Sequence, residues 1–70
     1  MKLSEYIREK REAAGLTQQQ ACAKAGTSIS GWSAWERGKS IPDLLKLRAI
    51  ADALGVERAE IGAIAAVGEE

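Results

Sequence analysis

Seventy residues with no histidine and one cysteine, Cys22, exclude His-based catalytic triads, His or multi-cysteine metal centres and an internal disulfide framework. A chain of this length makes one domain of marginal stability, and it has neither a secretory-type start nor an apolar run long enough to span a membrane, so a reducing cytoplasm is expected. The ten basic and ten acidic side chains cancel, yet residues 1–41 hold seven basic against four acidic (+3) and residues 42–70 three against six (−3), so the first part is the one suited to meeting phosphate, although so small an asymmetry also fits an ordinary solvated surface.

Gly15, Gly26, Gly38 and Gly55 each follow a stretch of helical composition, where a left-handed helix C-cap belongs, and so predict helices between them. Phe is absent, Val occurs only at Val56 and Val67, and no apolar/polar alternation persists. The expected fold class is all-α, a compact bundle of five short helices forming one domain over residues 1–70.

In the first helix Leu3, Ile7 and Ala14 share a face, and Arg11 lies on the same stripe, a charge among core positions. The second helix starts at Thr17, whose hydroxyl can cap it while Gln20 reaches back in a capping box; its inward positions, Ala21, Cys22 and Ala25, are all small. A third helix, capped by Thr27 or Ser28, runs to Arg37 before Gly38 stops it. At 100° per residue, Ser28, Trp32, Trp35 and Glu36 fall on one face and Ser30, Ala34 and Arg37 on the other, with Ile29, Gly31 and Ser33 on the flanks. The small residues of the second helix leave the volume that two inward indoles need, so both tryptophans read as core and not as stacking platforms.

Pro42 and Asp43 mark the start of a fourth helix with Leu44, Leu47, Ile50, Ala51 and Leu54 inward. The last helix runs from about Glu57 through Ile61 and Ile64 to about Val67, after which Gly68, Glu69 and Glu70 are expected to fray.

These elements carry a specific set of residues in order: Gly15-Leu16-Thr17-Gln18, Gly26-Thr27-Ser28, Trp32 to Lys39, Pro42, and Ala53-Leu54-Gly55-Val56. The set resembles the phage-repressor (Cro-like) helix-turn-helix family from about Leu3 to Ile61, with Thr17 to Gly38 as the helix-turn-helix. Two short helices joined by a tight turn cross steeply, one over the DNA backbone and the other in the major groove. The resemblance therefore implies a DNA-binding transcriptional regulator, most simply a repressor of bacterial or phage type, that inserts the helix from about Ser28 to Arg37.

The same resemblance implies the roles of individual residues. Gln18, at the N-terminus of the second helix, meets a phosphate, where free amides and the helix dipole favour an anion. Ser28, Ile29, Ser30 and Ala34 are the base-reading positions, and Arg37, Lys39 and Lys10, with Arg8, are the basic candidates for the DNA backbone. Arg11 pairs with Glu36, which periodicity had separately put on inward faces, and a buried charge requires a partner.

The reading face itself is unusual. Guanine is most often read by Arg or Lys and adenine by Asn or Gln, and none of these precedes Arg37 on the outward face. Ile29 or Ala34 would pack on a thymine methyl, Ser30 would hydrogen-bond, and DNA shape would carry the remainder. Gly31 is either a tolerated weak spot beside Trp32 or a point of close approach.

Double-stranded DNA is the expected partner and a homodimer the expected assembly, with no membrane, cofactor, metal or small-molecule ligand. The terminal helix, 57–67, is the candidate dimer contact, through Ile61, Ile64, Ala65 and Val67 with small Ala59, Gly62, Ala63 and Ala66 beside them; covering its own core is the equal alternative. An enzyme is not expected. The competing function is a helix-turn-helix protein-interaction module, such as an antitoxin or adaptor, with weak or no DNA binding.

Overall fold

A computed structural model describes residues 1–67. Five helices follow one another: α1 (Leu3–Ala13), α2 (Gln18–Ala25), α3 (Ile29–Glu36), α4 (Leu44–Leu54) and α5 (Arg58–Val67), with no strand among the described residues. The expected fraying of Gly68, Glu69 and Glu70 lies outside the described residues. No helix of the described residues is long and apolar enough to cross a membrane.

The helix starts follow from side chains that satisfy otherwise orphaned amides. Thr17 caps α2 with the reciprocal pair foreseen from its spacing: the Gln20 N–H donates to Thr17 Oγ1 at 3.0 Å and the Thr17 N–H to Gln20 Oε1 at 2.9 Å. Ser28, not Thr27, caps α3, its Oγ accepting from the Gly31 N–H at 3.0 Å. Asp43 caps α4 through the Lys46 N–H at 2.9 Å. Each such cap is worth about 1 kcal/mol. Gly26 ends α2 at φ +73°, a left-handed conformation that L side chains adopt only under strain, and this reversal is what lets α3 start three residues later.

The core runs through all five helices. Ile7, Trp32, Ile50 and Ile61 are its largest fully buried side chains, joined by Leu3, Tyr6, Trp35, Leu47 and Leu54. Burying one such side chain contributes about 1.5–3 kcal/mol before the entropy of ordering is counted. Trp32 and Trp35 meet edge to face, with centroids 5.8 Å apart. Buried Ala21 and Cys22 keep small the face of α2, the helix that packs on α3, as two inward indoles require. Through these contacts α2 packs on α3 and α4, α1 on α3, and α5 on α4 and α1.

Three expectations are corrected. Ala14 is exposed, because α1 ends at Ala13 and Ala14 is already its C-cap. Leu44 is 62 % exposed although it is in phase with Leu47 and Leu54: Pro42 is the buried residue at this end of the core, so the first turn of α4 is left without a facing neighbour. Ser28 does not share the buried face of Trp32, since its hydroxyl is turned to the cap. In α5, Ile61 is fully buried and Ile64 half-buried, so this helix covers its own core, while Val67 is 85 % exposed.

Candidate nucleic-acid interface

The geometry of α2 and α3 is fixed from beneath by one carboxylate. Glu36, in the last turn of α3, has a side chain only 2 % exposed. Its Oε2 accepts from Arg11 Nε at 2.6 Å and from Trp32 Nε1 at 2.6 Å; its Oε1 accepts from Arg11 Nη2 at 3.2 Å and from Gln18 Nε2 at 3.0 Å. Four donors from α1, α2 and α3 thus converge on one group. Burial on its own would raise the Glu36 pKa, but the hydrogen bonds from Arg11, Gln18 and Trp32 and the charge of Arg11 outweigh it and hold the carboxyl below its ordinary value. The Arg11 pKa is raised, chiefly by its hydrogen bond to Glu36, against the opposing effect of burial. Arg11 also donates from Nη1 to the Leu16 carbonyl at 2.7 Å, which ties α1 to the residue just before the α2 cap.

Above this network lies an open groove lined by Gln18, Ile29, Ser30, Ser33 and Arg37. It brings the N-terminal turn of α2 beside the outer edge of α3. The expected base-reading residues divide accordingly. Ile29, 44 % exposed, and the exposed Ser30 line the groove; Ser28 lies at its edge with its hydroxyl engaged as a cap; Ala34 is half-buried and outside the lining. Ser33, on the flank of α3 and not among the expected base-reading residues, lines the groove one turn after Ile29 and Ser30.

The backbone candidates are also dispersed. Arg37 borders the groove and lies back along its helix, Nε donating to the Ser33 carbonyl at 3.3 Å. Lys39 is exposed just after the Gly38 stop, its backbone N–H held by the Ala34 carbonyl at 2.9 Å. Arg8 is exposed on α1. Lys10 is drawn over the Tyr6 ring, with Nζ 5.6 Å from the centroid, on the part of α1 whose Tyr6 faces Glu60 of α5. Gln18 departs most from its expected setting: it is half-buried, and one of its amide hydrogens is already given to Glu36. Nothing in the sequence marked that contact, since a neutral polar residue in a first helical turn carries no periodic or charge signal.

The arrangement offers a shallow surface of short hydroxyls, one branched apolar side chain and an amide, edged by a guanidinium. Such a surface fits the floor of a groove better than it fits a reacting small molecule.

Comparisons with known proteins agree with one another. The family model described as Helix-turn-helix matches residues 7–61. An uncharacterized HTH-type transcriptional regulator of Sinorhizobium fredii, y4dJ, is 40 % identical over 58 residues, 83 % of this chain and 74 % of that protein. The restriction-modification controller protein C.AhdI of Aeromonas hydrophila superposes with a TM-score of 0.80 at 30 % identity, over 84 % of this chain and 89 % of that one.

Proposed function

This chain belongs to the helix-turn-helix family, of the Cro and repressor type, and on that premise we propose how it acts as a DNA-binding transcriptional regulator: as a repressor that lays α3 in the major groove while α2 crosses the backbone. The observation that supports this most directly is the shared groove of Gln18, Ile29, Ser30, Ser33 and Arg37, which joins the two helices into one DNA-facing surface.

In this reading Ile29 and Ala34 contact thymine methyls, Ser28 and Ser30 contact base edges, and Gln18, Arg37, Lys39 and Lys10 contact phosphates. With no long base-reading donor ahead of Arg37, much of the selectivity comes from DNA shape. The protein works in the cytoplasm as a homodimer, each subunit reading a half-site about one helical turn, ~34 Å, from the other. The outer face of α5 suits that pairing: Ala59, Ala63, Ala66 and Val67 are exposed, and nothing lies within 4 Å of a Cβ built at Gly62. The similarity to a protein named as an HTH-type transcriptional regulator and to a restriction-modification controller does not favour the interaction-module alternative.

Selection of bound sites from random duplex DNA tests the reading. A two-fold motif is expected, and affinity for it should fall with salt at a log–log slope of about −0.9 per phosphate neutralised. Absence of enrichment together with salt-independent binding overturns it.

A further inference from the structure

We infer that Glu36 is a positioning residue for DNA binding, which locks the side-chain amide of Gln18 so that Gln18 meets the duplex with a free N–H and not with its carbonyl. This rests on the reading of Gln18 as a phosphate contact.

A glutamine amide ordinarily has two nearly equivalent flips, one showing oxygen and one showing nitrogen to a given neighbour. Here the neighbour decides. An ionised carboxylate only accepts, and Glu36 Oε1 lies 3.0 Å from Gln18 Nε2. In the flipped state two oxygens of like partial charge would meet at that distance on a side chain that water barely reaches. The flip is therefore fixed by charge.

Glu36 can impose this because it is itself immobile. Arg11 Nε and Trp32 Nε1 hold its Oε2 at 2.6 Å each, and Arg11 Nη2 holds its Oε1 at 3.2 Å. The Leu16 carbonyl, two residues before Gln18, is held by the same guanidinium at 2.7 Å. Backbone and side chain of the α2 N-terminus thus refer to one anchor.

The Gln18 amide has a second N–H, which diverges from the first by the trigonal geometry of nitrogen, while its side chain also lines the groove beside Ile29, Ser30, Ser33 and Arg37. Phosphate oxygens are acceptors only, so a donor is the end of the amide that a DNA backbone can use. Pre-setting that donor removes the rotamer and flip entropy otherwise lost on binding. Being uncharged, the contact strengthens binding without releasing a counterion.

Two measurements test this. In the free wild-type protein, the two side-chain amide hydrogens of Gln18 are expected to be inequivalent by nuclear magnetic resonance, one exchanging with water more slowly than those of exposed Gln19; adding the selected duplex should shift the other. Exchange indistinguishable from Gln19 overturns the lock. The second is a double-mutant cycle on affinity for that duplex, at a temperature where circular dichroism shows every variant folded. Gln18→Ala should weaken binding about five- to tenfold with an unchanged salt slope. Glu36→Gln should weaken it comparably in the wild-type background and less than about twofold beside Gln18→Ala. Equal losses in both backgrounds overturn the positioning role alone. An unchanged affinity for Gln18→Ala overturns the phosphate reading itself, whatever the free protein shows.

Discussion

Trp32 donates its indole N–H to Glu36 Oε2 at 2.6 Å, one turn further along α3, while Arg11 approaches the same oxygen from α1 at the same distance. The ring at the centre of the core and the charge at its edge are thereby one unit, and a change at either is felt by both helices that line the groove.

Replacing Arg11 by methionine leaves the Glu36 carboxylate buried with only neutral donors, Gln18 and Trp32. Breaking a buried pair from one side costs about 3–5 kcal/mol. For a domain of this size each kcal/mol shifts the melting temperature by about 4–8 °C, so Arg11→Met should melt at least ~12 °C lower or fail to fold. Thermal circular dichroism decides it: a melting temperature within a degree or two of wild type removes the pair from the account of stability.

The same carboxylate makes the domain acid-sensitive. Its folded pKa lies below its ordinary value of 4.5, so its contribution is complete above pH 4.5 and is lost as pH falls from there through the lower folded value. Urea midpoints measured from pH 7 down to pH 3 should decline across that window, and the decline should be shallower in Glu36→Gln. An equal slope in both proteins would assign the acid sensitivity to other carboxyls.

How much of this was readable in advance depended on whether a residue's role left a periodic or a charge signal. The capping box of Thr17 and Gln20 follows from local chemistry three residues apart, and it formed as expected. Arg11 and Glu36 were each conspicuous as charges on inward faces, and it was the family resemblance that joined them across 25 residues. Gln18 carried no such mark, because a neutral polar residue in a first helical turn looks the same whether it faces water or a buried carboxylate. Leu44 misled for the opposite reason: its phase was right, but phase does not say whether a neighbouring element extends far enough to cover it. The neighbours Ile41 and Leu45 are exposed as well, so the start of α4 is an apolar end of the molecule that helical spacing alone does not reveal.

Tyr6 had no part in the inward stripe expected for α1, yet it is buried, and its hydroxyl has no hydrogen-bond partner. Burial, with the nearby Glu60 carboxylate outside direct hydrogen-bonding geometry, pushes its pKa up to about 12. An orphaned buried hydroxyl is a net penalty, so Tyr6→Phe should be neutral or up to ~1 kcal/mol more stable at pH 7 in chemical denaturation. The raised pKa adds a second signature. Ionising the phenol costs more in the folded chain than in the unfolded one, so stability falls as pH rises from its ordinary value of 10 towards 12, and that part of the alkaline loss should vanish in Tyr6→Phe.

The two indoles can be checked without mutation. Trp32 is 0 % exposed and Trp35 is buried beside it. Emission should be blue-shifted and weakly quenched by acrylamide in the free protein, and adding duplex should change quenching little. Strong quenching in the free state would return the rings to the surface and reopen a stacking role.

Gly31 is the remaining test of how tightly the start of α3 is built. Its φ is not in the left-handed region, so the backbone does not require glycine, and inside a helix glycine costs about 1 kcal/mol relative to alanine. Against that gain, a Cβ there would stand 3.2 Å from Ser28 Oγ, the atom that caps this same residue, and 3.4 Å from Thr27 Oγ1. Thr27 Oγ1 can turn aside. Ser28 Oγ must shift by a few tenths of an ångström while keeping its bond to the residue-31 N–H, which an adjustment of its χ1 permits. Gly31→Ala is therefore expected to raise stability by roughly 0.5 kcal/mol, seen as a higher urea midpoint at unchanged slope. A lower midpoint would mean that the cap is lost, and that glycine is kept here for the close approach of Ser28 at the edge of the reading face.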